Sequence, residues 1–156
     1  MNAKFEQLRE RLALVPGVQS IAAGEIPPLS AGSAYEYRFT IAGLGSPEKE
    51  ILTAEGFPVS AGYFKTLRIP IFRGRDFQTR DSASGPGAVI INETMARRFW
   101  AGKDALGSLV RINLMNERPR EIIGVVGDVR HDRFEREIPV QMYSEVPARL
   151  RSSADG

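Results

Sequence analysis

The sequence predicts an α+β fold, with about three helices set among seven or eight strands of a mixed, largely antiparallel sheet. Several short segments alternate apolar and polar residues, which is typical of strands that bury one face. Three other segments repeat their apolar residues at helical spacing. The two kinds of segment do not alternate regularly and hairpin signals are common, which argues against a parallel sheet with helical crossovers.

The first part of the chain predicts one helix followed by extended segments. Residues 4–15 place Phe5, Leu8 and Leu12 on a single apolar stripe, and Pro16 ends the helix. Polar and apolar side chains then alternate, as they do in strands with one buried face. The strands predicted in this part cover residues 18–23, 35–42 and 50–59.

The rest of the chain predicts two short helices among further strands. Asn92 is a good N-cap residue, and Glu93 brings a carboxylate to the first turn of a helix over 93–100, where the helix dipole favours it. Residues 61–67 predict the other helix. The remaining extended segments cover residues 69–77, 88–91, 108–114, 121–129 and 140–146.

The length sets the domain organisation. A chain of 156 residues can bury a sizeable core without disulfides or metals. We expect residues 1–150 to form one domain, which the polar loop at 78–87 could divide into two lobes. Residues 151–156 predict a frayed tail.

The composition excludes several classes of site. The chain has no cysteine and one histidine, so thiol catalysis, disulfide scaffolds and multi-histidine metal centres are excluded. Its 21 Lys and Arg residues are interspersed with 19 Asp and Glu, whereas a nucleic-acid-binding surface clusters one sign of charge. We therefore expect no cofactor, no metal and no nucleic-acid partner.

Glycine-rich segments do not complete a nucleotide-binding motif. The segment around Lys103 lacks the glycine and the hydroxyl residue that a Walker A loop requires at positions 97 and 104. Gly124 and Gly127 follow an apolar run, but the dinucleotide motif G-x-G-x-x-G is incomplete. We expect these two glycines to lie where backbones approach closely in a buried strand.

His131 is the one side chain that could serve as an imidazole base. It lies between Asp128 and Asp132, but Asp132 is its sequence neighbour and cannot readily share a ligand sphere with it. The serine nucleophile motif G-x-S-x-G is also absent. We expect His131 in a surface turn, and the sequence predicts that the chain is not an enzyme.

Two arginines flank a glycine in the run Arg73-Gly74-Arg75-Asp76, and such a pair could clamp an anion. The other interpretation is a strand edge at which an arginine pairs with Asp76 or Asp81. We favour the strand edge. The alternative function is a stand-alone module that binds an anion or small ligand through Arg73 and Arg75.

No segment predicts a membrane span. The longest apolar run, residues 122–127, has six residues, whereas about 20 are needed to cross a bilayer. The charged start of the chain lacks the apolar core of a signal peptide. We expect the chain as given to be soluble.

Short motifs follow one another along four stretches of the sequence, at 59–77, 88–100, 104–112 and 121–132. Their motif positions are Tyr63, Phe64, Gly74, Asp76, Phe77, Asn92, Glu93, Gly107, Gly124, Gly127 and Asp128. This set resembles the MacB-like periplasmic core domain of FtsX-like ABC transporter permeases, in particular the permeases of acidobacterial type. Several motifs in one order make chance an unlikely source of the resemblance.

The resemblance implies a fold and a function. It implies two lobes, one porter-like and a smaller second one. It also implies a domain outside the cytoplasmic membrane, inserted between the first transmembrane helix of a permease unit and the remaining three. It implies contact with a periplasmic adaptor or substrate protein, and coupling through transmembrane helices to a cytoplasmic ATPase. Such permeases serve export or transmit force across the membrane, and the domain has no catalytic residues.

The motif positions themselves predict structural roles. We expect Tyr63, Phe64, Leu67 and Phe77 to lie in the core and the glycines to lie at turns or close backbone approaches. We expect Asn92 to cap a helix. None of these residues is assigned to a binding site.

Overall fold

A computed structural model describes residues 3–29, 34–43, 51–78, 81, 86–112, 118–131 and 136–145. Within these ranges the chain forms three helices and seven strands, which confirms the predicted α+β class. The helices are α1 (Ala3–Ala13), α2 (Tyr63–Thr66) and α3 (Glu93–Phe99). The strands are β1 (Tyr35–Ile41), β2 (Leu52–Val59), β3 (Ile71–Gly74), β4 (Gly87–Asn92), β5 (Leu109–Ile112), β6 (Pro119–Val126) and β7 (Gln141–Glu145).

The seven strands form one sheet in the order β3-β6-β4-β7-β2-β1-β5. Because β5 also pairs with β6, six of the strands close into a ring and β3 lies outside it. The pairs β2–β7 and β4–β6 are parallel and the other described pairs are antiparallel, which agrees with the prediction of a mixed, largely antiparallel sheet.

Strand β6 connects the ring to β3. One of its edges pairs with β4 along its length, from Arg120 to Val126. The other edge is divided: residues 119–121 pair with β5, and residues 124–126 pair with β3. The two neighbours therefore share one edge of a single strand, and the changeover falls at residues 122–123.

Two apolar clusters lie on opposite faces of the sheet, because side chains alternate along each strand. On β4, Val89 and Ile91 belong to the first cluster, whereas Ala88 and Ile90 belong to the second. The first cluster takes residues from all six ring strands and from α3, so it fills the interior of the ring. The second lies outside the ring under α2.

The predicted strand at 18–23 is wrong. This segment contacts the sheet through one isolated bridge, between Gly24 and Val59, and through hydrogen bonds that Ala23 exchanges with Ser60. The physical reason is that β1 already occupies this edge of β2 from Leu52 to Gly56. Only the end of β2 is left for another segment to pair with.

Some predictions fall on residues outside the described ranges. They include the tail at 151–156, most of the polar loop at 78–87 and the last two residues of the strand at 108–114. The division of residues 1–150 into two lobes stays a prediction. All seven described strands belong to one sheet.

The junction between β3 and β6 requires glycine on both strands. Gly74 has a φ of 75°, and a Cβ atom at this position would overlap the carbonyl oxygen of Ile123. A Cβ atom on Gly124 would lie 2.7 Å from the carbonyl oxygen of Arg75. Only residues without a side chain allow the two backbones to come this close.

Replacing Gly74 with alanine tests this junction. Gly102→Ala is the matched control, because Gly102 has a similar φ of 73° but open space where its Cβ would lie. The control loses only the energy that it costs to hold an alanine at a positive φ, about 1–2 kcal/mol. Gly74→Ala adds a backbone clash, so we expect its free energy of unfolding to fall by about 1–3 kcal/mol more. Urea unfolding measures both, and equal losses would contradict the proposed close approach.

Candidate functional site

The motif at 73–77 ends β3 and anchors it to α2. The backbone N–H of Arg75 donates to the carbonyl oxygen of Ile123 at 3.0 Å, which continues the pairing with β6. The carboxylate of Asp76 accepts hydrogen bonds from the backbone N–H of Gly62 at 3.0 Å and of Phe77 at 2.7 Å. Asp76 therefore fixes the turn before α2 and is engaged in structure.

Each of the two arginines faces a carboxylate of its own. Arg75 donates from both terminal nitrogens to Asp81, at 2.8 and 2.7 Å, and this pairing raises the pKa of the guanidinium. Arg73 lies 3.4 Å from Asp104, and both of these side chains are exposed. The predicted pairing of Arg75 with Asp81 is thus present. Anion binding by Arg73 and Arg75 stays a prediction to which this geometry adds no support.

A second group of motif residues meets at the start of α3. Asn92 caps the helix, as predicted: its side-chain oxygen accepts from the backbone N–H of Met95 at 3.0 Å. Asp128, which follows β6, accepts from the backbone N–H and the hydroxyl of Thr94 at 2.9 and 2.7 Å. Glu93 pairs with Arg97 at 3.2 Å. Residues distant in sequence therefore fasten α3 to the end of β6.

The remaining motif residues pack or turn the chain. Gly107 has a φ of 79° and donates its N–H to the carbonyl oxygen of Ile122 at 2.9 Å. Gly127 lies against Pro70 and donates its N–H to the Pro70 carbonyl oxygen at 2.9 Å. Three of the residues predicted for the core are buried in the second cluster: Tyr63, Phe64 and Phe77. The predicted burial of Leu67 is wrong, because this residue lies at the C-terminal end of the short helix α2 and is 42% exposed.

His131 is buried, so the predicted surface turn is wrong. Its side chain is 4% exposed and stacks on Phe57, with ring centroids 3.7 Å apart. Its Nε2 lies 3.3 Å from the Tyr143 hydroxyl, and its Nδ1 has no hydrogen-bond partner. Burial lowers the pKa of His131 to about 4, so the ring is neutral at pH 7. No local spacing encodes this contact, because Phe57 lies in β2, far away in sequence.

A groove lies between β3 and α3, and we call it the β3–α3 groove. Its volume is about 710 Å³. Its lining combines apolar or small residues with charged ones. The lining residues are Phe72, Arg73, Glu93, Ala96, Arg97, Trp100, Ala101, Gly102, Lys103, Asp104 and Val125. The sequence predicted Arg73 at a strand edge but gave no sign that α3 would lie beside it.

The described residues form neither a metal-binding cluster nor a membrane-spanning helix. In the ranges given above, no three His, Cys, Asp or Glu side chains are grouped so that they could hold a metal ion. None of the three described helices is long and apolar enough to cross a membrane.

The buried imidazole predicts acid-sensitive stability. Because the pKa of His131 is lowered in the folded state, the unfolded chain binds the proton first as pH falls. The contribution of His131 to the free energy of unfolding is therefore fully present above its ordinary pKa of about 6.5. This contribution, about 3 kcal/mol, is lost as pH falls from there towards 4. Urea unfolding across this range measures the loss.

His131→Phe and His131→Gln serve as the comparison for this experiment. The first keeps a ring against Phe57, the second keeps a polar side chain near Tyr143, and neither titrates between pH 4 and 6.5. Both are expected to lose less stability than the parent over this range. Parallel curves for all three proteins would show that His131 does not stay neutral in the fold.

Comparisons with known proteins agree with this architecture. The chain is 27% identical over 125 residues to the macrolide export ATP-binding/permease protein MacB of Neisseria gonorrhoeae, covering 80% of this chain and 17% of that protein. It is 29% identical over 108 residues to MacB of Neisseria meningitidis serogroup A, covering 69% of this chain and 15% of that protein. The chain thus spans about a sixth of these relatives.

Solved structures share the fold. The periplasmic region of MacB from Actinobacillus actinomycetemcomitans superposes with a TM-score of 0.61 at 18% identity, covering 97% of this chain and 59% of that one. The extracellular domain of the ABC-type transporter YknZ from Gram-positive bacteria gives 0.55 at 21% identity, covering 90% and 61%. A family model described as the MacB-like periplasmic core domain matches residues 4–151. The chain belongs to this family.

Proposed function

We propose that this chain is the extracytoplasmic domain of an ABC transporter permease, where it contacts partner or substrate proteins and couples them to transmembrane helices. The observation that carries the proposal is the family match over residues 4–151. The likeness of the fold to the periplasmic region of MacB supports it. The partners are the transmembrane helices of the permease, a cytoplasmic ATPase reached through them, and a periplasmic adaptor or substrate protein.

The side chains that could react are buried or hydrogen-bonded within the fold, and this supports a non-catalytic role. His131 is buried and neutral, and it does not pair with Asp128. The carboxylates of Asp76 and Asp128 accept backbone hydrogen bonds at the starts of α2 and α3. These groups stabilise the fold, which leaves surface contact as the way in which the domain acts.

The position of α1 supports a connection towards the membrane part of the permease. Every residue from Gln7 to Ser20 is exposed, so the C-terminal part of α1 and the segment after it stand away from the sheet. The apolar side chains of Leu8, Leu12 and Val15 are therefore exposed. In the proposed function this helix leads to the transmembrane helices.

Cysteine labelling tests the location, because the chain has no cysteine of its own. Arg38→Cys, at an exposed site on β1, is introduced into the full-length gene product in its own host. We expect a membrane-impermeant maleimide to label it in intact spheroplasts. The matched control is Ile90→Cys, which is fully buried and should react only after denaturation. The unsubstituted protein corrects for cysteines elsewhere.

Labelling of the Arg38→Cys protein only after lysis would place the domain in the cytoplasm. That result would overturn the proposed function. Sedimentation of the tagged protein with membranes is expected alongside surface labelling, since the proposal makes the domain part of a membrane protein.

A further inference from the structure

We propose that the free edge of β3 and the β3–α3 groove bind an extended, acidic segment of a partner protein, which pairs with β3 as an additional strand. The inference deepens the proposed partner contact and rests on it. It follows from the pairing of the strands, the shape of the groove and the charges around it.

Strand β3 is the one strand of the described sheet that has an open edge. Each of the six ring strands is paired on both sides, whereas β3 pairs with β6 alone. An open edge presents unpaired N–H and C=O groups, which are a template for another strand. Its four residues are all exposed, and Phe72 is 56% exposed. An exposed aromatic side chain beside unpaired main chain favours recognition of an extended peptide.

The groove beside this edge can take side chains from an added strand. Its volume of about 710 Å³ is within the range of ligand sites in proteins. Phe72 and Arg73 line it from the side of β3, while Ala96 and Trp100 line it from α3. Because alternate side chains of a strand point to the same face, every second residue of the peptide would enter the groove.

The charges around the groove select an acidic peptide. Three cations line it, Arg73, Arg97 and Lys103, against two carboxylates. Both carboxylates are already engaged: Asp104 with Arg73 and the backbone N–H of Leu106, and Glu93 with Arg97. Lys103 has no carboxylate partner among the described residues. An acidic side chain on the peptide supplies that partner.

The edge is also held rigidly before anything binds. Gly74 and Gly124 bring the backbones of β3 and β6 into close contact, and hydrogen bonds from Arg75 and Gly127 lie on either side of the strand. A preorganised strand loses little conformational entropy on binding. The cost of ordering then falls mainly on the peptide.

The test uses the 156-residue chain and two capped hexapeptides, one alternating Glu and Val and the other alternating Lys and Val. Amide resonances of the ¹⁵N-labelled chain are followed by NMR during each titration. We expect the Glu peptide to shift the signals of residues 71–74 and 103 and to bind at least tenfold more tightly than the Lys peptide. Backbone N-methylation of the Glu peptide at its two central residues is expected to abolish binding, because the added strand could no longer pair.

Charge reversal locates the site. Lys103→Glu is expected to weaken binding of the Glu peptide at least fivefold and to strengthen binding of the Lys peptide. Lys65→Glu is the matched control, because Lys65 is exposed on α2 away from the groove and its reversal should leave both affinities unchanged. Phe72→Ser is expected to weaken the binding of both peptides and to leave the NMR signals of the rest of the protein unchanged.

Several results would overturn the inference. They are the absence of binding at millimolar peptide, equal binding of the two peptides, or shifts outside the groove. Shifts of residues 71–74 on dilution of the chain alone would identify a second copy as the occupant. Inorganic phosphate that produced the same shifts would identify a simple anion site instead. Surface labelling of the Arg38→Cys protein together with failed peptide binding would reject this inference and leave the proposed function standing.

Discussion

The fold depends on the way β6 divides one of its edges between two neighbours. Its opposite edge pairs continuously with β4 except for a register shift, at which Val89 faces Ile122 and Ile90 faces Gly124. Such a bulge bends and twists a strand, which is how sheets are able to close. Before the bulge β6 completes the ring with β5, and after it β6 carries β3. The bulge thus lies where β6 passes from the closed ring to β3.

The same strand positions α3. Asp128 follows the end of β6 and accepts two hydrogen bonds from Thr94, in the first turn of the helix. Asn92, which ends β4, caps the helix from the adjacent strand. Helix α3 and strand β3 are therefore both held by β6, the first at its end and the second along its edge. The two walls of the groove therefore share one support, and walls held in place before binding lower the entropic cost of recognition.

The sequence predicted the parts of the fold that local spacing encodes. The N-cap at Asn92, the short helix after it and the alternating strands follow from residues within a few positions of one another. Closure of the ring does not, because it needs β5 to meet both β1 and β6. The burial of His131 depends on Phe57, which lies far away in sequence on β2. The absence of a strand at 18–23 depends on the pairing of β1 with the same edge of β2. The sequence predicted Arg73 at a strand edge, but it did not predict α3 beside this residue, because the position of that helix depends on tertiary packing.

The closure of the other six strands into a ring makes the exposed edge of β3 informative. A closed sheet has no edge strand with which another chain could pair and aggregate. The six ring strands close in this way, since each has a neighbouring strand on both sides. Phe72 stands on β3, the one described strand with a partner strand on a single side, next to a groove with an excess of positive charge. A bare apolar edge invites indiscriminate pairing, whereas cations beside it repel basic segments and favour acidic ones. In the proposed complex, main-chain pairing supplies affinity and the charged residues around the groove supply selectivity for an acidic segment.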